Sequence, residues 1–287
     1  ARRQSTDPSQ SVDLLWGVRT DTKATSGLPW IDVVRGSTYS AVLFTFYHAL
    51  CAIGLHAQVI VNQDNQLSDL TDESNLGTVG SADGCKVTLK SITLQPDDAR
   101  SNAGLFYQTG TLNLNNSGTA HQPNWTKSGS IASLELSGDK INPELKDPQT
   151  DSTPLTSEEI TNFMNASDIP GVKEEANKQV VIANDKVYMF LPYYEAKDYK
   201  LTVDYFLTYK TGADTYERKE LQGTATINDL TLSAGVKYYL NLVFGLTTFK
   251  LTVDAVDWDE HTINTTIATE TGTSASQSLT RRVGERF

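Results

Sequence analysis

Two cysteines in 287 residues, Cys51 and Cys85, are too few for a disulfide framework or a four-thiolate zinc site, and their spacing matches neither a CxxC pair nor a haem attachment. If their strands are neighbours they form one bridge in an oxidising compartment; two small buried thiols are the other reading. Basic charge is also scarce. Twenty-four Lys and Arg against 35 Asp and Glu leave a net charge of −11, without the clustered cations that a phosphate backbone requires, which excludes nucleic acid as a partner. Apolar runs are short as well. The strongest, Ala41 to Ile60, carries His48, Gly54, His56 and Gln58, and so falls short of the ~20 predominantly apolar residues of a membrane span. No secretory signal opens the chain: Ala1 to Gln10 reads ARRQSTDPSQ, as expected of a chain whose leader has been removed or that begins partway through a longer precursor. Missing too are the GxSxG elbow, HExxH, the P-loop, a GxGxxG after a strand and the DxDxDG calcium loop, so no enzymatic activity and no cofactor is expected.

What the chain does have is strand-forming side chains. Twelve tyrosines, nine phenylalanines and many threonines suit a pleated, half-buried surface, while 19 glycines and nine prolines supply turns. Ala41 to Ile60 and Val61 predict one bulged core strand: Val42, Phe44 and Phe46 alternate with Leu43, Thr45 and Tyr47, His48 interrupts, and Leu50, Ile53, Leu55, Val59 and Val61 resume in shifted phase. Cys85 to Leu94, Gly104 to Leu114 and Ser130 to Leu136 read as further strands. From Tyr199 to Lys210, Tyr199, Leu201, Val203, Tyr205, Leu207 and Tyr209 share an inward face, with Lys200, Thr202, Asp204 and Thr208 toward water. Glu217 to Ile227 reads as a polar edge strand, and Val236 to Leu246 as a core strand. Phe249 to Trp258 reads as a strand with a bulge or strand switch near Asp254.

Only PLTSEEITNFM signals a helix. Thr156 is its N-cap, Glu159 completes a capping box, Leu155 and Ile160 occupy the staple positions, and Pro170 with Gly171 ends it. Many strands without βαβ helices predict an all-β fold of antiparallel sandwiches. The strand signals form two groups separated by the small polar stretch Asn115 to Gly129. This predicts an N-terminal domain over 1–118, a C-terminal domain over 119–262 and a tail over 263–287. In the tail Ile263, Thr265, Ile267 and Thr269 alternate with polar residues, as one added strand would; an untethered terminus is the alternative.

Candidate chemistry is sparse. His48 and His56 lie eight residues apart, roughly 26 Å along an extended strand, too far for one metal ion, so His48 is read as a core or core-margin histidine. Asp72/Glu73, Glu158/Glu159 and Glu174/Glu175 are adjacent pairs, whereas glycosidase carboxylates stand about 5–9 Å apart across a sugar. Trp16, Trp30 and Trp125 lie in or beside loop-like sequence, and Trp30 and Trp125 are the candidates for contact with a glycan.

VDLLWG (Val12 to Gly17), VLFTFYHALCAIGL, VYMFLP, YKLTVDYFLTYK, VKYYLNLVFGL and a closing LTVDAVDW together resemble the fimbrillin-like proteins of Bacteroidales, the subunits of type V pili, over Val12 to Asp259. The most specific pieces are Phe46, Tyr47, His48, Ala49 and Leu50, and the final strand pair ending at Trp258. The resemblance implies two transthyretin-like sandwich domains, export as a lipoprotein, cleavage by an arginine-specific protease and polymerisation by strand exchange. Members usually carry several strands before the DLLWG-like element, where this chain has eleven residues, so the first sandwich is expected to be incomplete. The expected function is a non-enzymatic structural or adhesive subunit of a surface pilus, located at the cell surface, in a fimbrium or at the outer membrane. Its expected partners are other pilus subunits and a host glycan or protein. The alternative is a carbohydrate-binding cell-surface protein.

Overall fold

Apolar side chains at every second position, rich in Val, Ile, Leu, Tyr and Phe, turn most of the described residues into strands. The structure, a computed structural model, describes residues 2–3, 5–18, 42–59, 85–113, 123–149, 153–166, 172, 179–211, 215–244, 249–258 and 261–265. Along the chain these form β1 (Arg2–Arg3), β2 (Leu15–Val18), β3 (Val42–His48), β4 (Cys51–Val59), β5 (Cys85–Pro96), β6 (Phe106–Leu112), β7 (Trp125–Ile131), β8 (Leu134–Ser137), α1 (Ser157–Asn165), β9 (Gln179–Val180), β10 (Tyr188–Phe190), β11 (Tyr193–Lys210), β12 (Tyr216–Leu232), β13 (Val236–Phe244), β14 (Phe249–Asp257) and β15 (His261–Thr265). Among the described residues the fold is all-β with one short α-helix.

Two sheets supply the main core. One runs β10-β4-β13-β14 with β9 on β4, the other β12-β11-β5-β8. Leu55 and Ile53 of β4 and Leu240, Leu242 and Phe244 of β13 pack in one cluster with Leu89 and Ile92 of β5 and with Tyr199, Leu201 and Val203 of β11, all 3 % exposed or less. The inward face expected on β11 is therefore present from Tyr199 to Leu207, and the core strand expected at Val236 is β13. Not every pair is antiparallel: β4 and β13 run parallel from Lys237↔Ala52 to Phe244↔Val59. Most of β4 is buried, as suits a central strand covered on both faces.

A smaller cluster of Trp16, Ala49, Leu50, Trp125 and Leu191, flanked by Tyr47, Tyr107, Leu112 and Met189, gathers residues of two three-stranded sheets, β1-β6-β7 and β15-β3-β2. Lys127 on β7 reaches the main sandwich, donating to the Pro192 carbonyl at 2.6 Å with its Nζ 5.3–5.7 Å from the ring centres of Tyr107, Tyr193 and Tyr194. Strands from both sides of residue 118 share sheets, since β5 pairs with β11 and β4 with β13.

Three local expectations are corrected. The stretch 42–59 is two strands, not one bulged strand: β3 and β4 are separated by a bend at Ala49 and Leu50 and lie in different sheets. Thr208, expected toward water, is 0 % exposed, because that face of β11 lies beneath a buried ion pair. There Arg218 binds Asp147, the Arg218 guanidinium stacks 4.0 Å above the Phe206 ring, and its Nη1 donates to the Thr208 hydroxyl at 3.3 Å. Burial pushes the Asp147 carboxyl up from its usual range, and Arg218 opposes that shift. Finally, β14 pairs with β13 in unbroken register from Val236↔Asp257 to Phe244↔Phe249, so neither a bulge nor a strand switch occurs near Asp254.

The helix begins as read, and it ends at Asn165; Pro170 and Gly171, expected to stop it, lie outside the described residues. The Thr156 hydroxyl accepts from the Glu159 N–H at 3.3 Å while the Glu159 carboxylate accepts from the Thr156 N–H at 2.7 Å. Phe163 is buried, and Lys86 donates to the Phe163 and Ala166 carbonyls, which tethers the helix C-terminus to β5.

Leu242 is fully buried, so Leu242→Ala should cost about 2–5 kcal/mol in chemical denaturation. Cys51 is a free, fully buried thiol that donates to the Phe190 carbonyl, and burial pushes its pKa up to about 12. A raised thiol pKa leaves almost no thiolate at neutral or mildly alkaline pH. In a Cys85→Ser background, alkylation at pH 8 is therefore expected to proceed only as fast as the protein opens, and to become rapid in denaturant.

Candidate assembly site

The bend between β3 and β4 is braced from three parts of the chain. The Ala49 N–H donates to the Leu14 carbonyl at 2.8 Å, the Trp125 indole N–H donates to the Ala49 carbonyl at 2.9 Å, and the Gly235 N–H donates to the Leu50 carbonyl at 2.9 Å. Gly235 sits at φ +74°, a conformation that glycine adopts readily and side chains oppose. Every backbone group turned inward at this bend that is named here has a partner, as burial demands.

His48 completes the knot. It is 7 % exposed, its Nδ1 lies 2.8 Å from the Asp13 carboxylate, and its ring stacks on Trp258 with centres 4.0 Å apart. The Trp258 N–H donates to the Gly235 carbonyl at 2.7 Å, and Lys237 Nζ lies 4.9 Å from the centre of the indole. The two sequence elements that carried the family resemblance, Phe46 to Leu50 and the strand ending at Trp258, thus meet in space. Period and spacing could not pair them, because their contact depends on two sheets closing over the bend.

From Trp258 the chain enters β15, which pairs antiparallel with β3 from His261↔Phe46 to Thr265↔Val42. Ile263 and Thr265, two of the four residues expected in a donor strand, therefore lie on β3 of the same chain. Ile267, Thr269 and the glycan candidate Trp30 lie outside the described residues. Trp125 is 9 % exposed and belongs to the smaller core cluster.

The main sandwich has an open flank. Among the described residues β14 pairs only with β13 and β12 only with β11, and between these two edges lies a groove of about 500 Å³. Ile227 and Leu230 of β12, Tyr238 of β13, and Leu251, Val253 and Ala255 of β14 line it. Beyond the groove the two edges close on each other. There Phe249 packs on Gly223, where an added Cβ would come within 2.8 Å of the ring.

On the opposite face of the β4–β13–β14 sheet, Asn241 donates to the Asp254 carboxylate at 2.7 Å and its Oδ1 lies 3.3 Å from His56 Nδ1. The His56 ring stacks on Tyr239 at 4.5 Å. His48 and His56 stand in different sheets, and among the described residues no three His, Cys, Asp or Glu side chains gather to hold a metal ion. Glu159 is used in the helix cap. Asp72, Glu73, Glu174 and Glu175 lie outside the described residues. What the arrangement offers is backbone pairing: β15 on β3, and the edge of β14.

Trp258→Ala should loosen the root of β15, at a cost of about 0.5–1.5 kcal/mol from the lost ring pair beyond its buried area. Hydrogen exchange is expected to quicken at residues 42–46 and 261–265, with protection of β11 unchanged.

No protein-family profile matches the chain, and no curated protein matches its sequence. Among solved structures it is similar to a fimbrial protein from Bacteroides vulgatus, with 15 % identity, 76 % of this chain and 57 % of that one covered, and a TM-score of 0.46. It is also similar to two structures described as a "putative cell adhesion protein". One, from Bacteroides ovatus, has 11 % identity, 75 % and 48 % coverage and a TM-score of 0.32. The other, from Bacteroides uniformis, has 13 % identity, 75 % and 53 % coverage and a TM-score of 0.30. The chain thus spans about half the length of the structures it matches.

Proposed function

We propose that this chain is a non-enzymatic structural or adhesive subunit of a cell-surface pilus, joined to other subunits by strand exchange. One observation carries the reading: β15, the last described strand, closes the small sheet β15-β3-β2 purely by adding itself to β3. If β15 of one copy is laid on β3 of the next, every backbone pair from His261↔Phe46 to Thr265↔Val42 is remade in trans. The exchange has no net cost in hydrogen bonds, the feature that makes swapping a terminal strand a low-cost route to assembly.

The Trp258–His48 contact sits at the root of the exchanging strand and fixes where it leaves the sandwich. Ile263, Thr265, Ile267 and Thr269 are the proposed donor residues, and the groups they would satisfy are the outward N–H and C=O of the neighbour's β3. The family resemblance of the Phe46 to Leu50 element and of the strand ending at Trp258 supports the same reading, and placement at the cell surface follows from it.

The test is assembly in a host that exports the chain. Fibres extracted without heating should form a ladder on a denaturing gel. Deleting Ile263 to Phe287 is expected to abolish the ladder while leaving the thermal transition of the main sandwich in place. A ladder unchanged by the deletion would remove the tail as donor.

A further inference from the structure

Among the described residues the main sandwich has four lateral edges, and they are not equally protected. β10 has three residues and β8 four, too short to template much pairing. β12 carries Glu217, Lys219 and Glu220 along one end and is irregular at the other, where its register with β11 shifts and Asp229 takes φ +54°. β14 is neither short nor irregular, and its charges, Lys250, Asp254 and Asp257, are of both signs. It is nine residues long, contains no proline, holds unbroken register with β13, and leaves Val253 36 % and Val256 50 % exposed. A long, regular edge pairs readily with another strand unless something prevents it.

The side chains of β14 select a particular partner. Residues directly opposite in an antiparallel pair share a face, so a two-fold pairing of β14 with itself must be centred on a residue rather than between two. Centred on Asp254 it sets carboxylate against carboxylate, and centred on Lys250 it sets ammonium against ammonium. Centred on Val253 it puts Phe249 opposite Asp257. Centred on Leu251 it leaves Lys250 facing Thr252. Centred on Thr252, each Lys250 faces the other copy's Asp254, Leu251 faces Val253 and Phe249 faces Ala255. Opposite charges and apolar pairs then coincide on their respective faces, each cross-strand pair favourable by about 0.2–1 kcal/mol.

We propose that β14 pairs antiparallel with β14 of a second copy of this chain about a two-fold axis at Thr252, which makes one continuous sheet of the two β10-β4-β13-β14 sheets. This contact uses an edge that strand exchange on β3 leaves alone, so it stands or falls separately from the pilus reading. Strand exchange joins copies head to tail; a two-fold contact at β14 would join chains side to side.

Cysteine placement reads the register directly in the full-length chain with Cys85→Ser, Cys51 being buried and unreactive. Opposed Cα atoms lie about 4.5–5.5 Å apart, within reach of a disulfide. Thr252→Cys, at an exposed position, should give a disulfide-linked dimer under mild oxidation, while Leu251→Cys, Val253→Cys and Asp254→Cys stay largely monomeric. Lys250→Glu should weaken dimerisation in sedimentation at least tenfold. A dominant cross-link at Val253 or Asp254 overturns the register, and a chain that cross-links at none of the four and sediments as a monomer at about 100 µM overturns the proposal.

Discussion

The bend at Ala49 and Leu50 is the constraint on which the rest of the molecule depends. A single apolar run enters one sheet as β3 and leaves into another as β4, so two bodies of packing are joined across two residues. That junction exposes backbone groups to a dry interior, and it exists only because Leu14, Trp125 and Gly235 supply their partners from three distant parts of the chain. With the bend held, β4 is placed beside β13, and the core of the main sandwich follows from the alternation of its strands. His48 then faces Asp13 on one side and Trp258 on the other, which ties the root of the last strand to the same point.

Buried polarity occurs where a strand face is covered on both sides. Arg218 and Asp147 have both left water, and their attraction must offset a desolvation cost of several kcal/mol per ion, so such a pair contributes more to defining one arrangement than to stability. Phe206 beneath the guanidinium, Thr88 and Thr208 beside the pair, and helix α1 nearby fix that arrangement. One face of β11 therefore carries the apolar core and the other a paired charge under a helix. The second face is dry only around the pair, which explains why Phe206 and Thr208 are buried there while Lys200, Thr202 and Asp204 on the same face keep partial exposure.

The edges decide what the protein can join. A sandwich with short or irregular edges is inert to other strands, whereas one with a long regular edge and a groove beside it invites addition. Among the described residues the small sheet is closed by β15, and the main sandwich is open along β14. In the proposed function the joining groups are backbone N–H and C=O at these edges.

Local rules settled much of this. The all-β class, the capping box at Thr156, the inward faces of Tyr199 to Leu207 and of Val236 to Phe244, the edge character of Glu217 to Ile227, and the burial of Cys51 were all legible, because alternation, capping and burial act within a few residues of chain. Tertiary structure alone decided the rest. No local pattern distinguishes a bulge at His48 from a bend into a second sheet, since both shift the phase by the same amount. None foretells that Thr208 will be covered by Arg218 and Asp147, that β4 and β13 will run parallel, or that Val253 and Val256 will both be exposed on an edge. None brings His48 to Trp258. Each of these depends on which distant segments lie alongside, and that is fixed by closing the core as a whole.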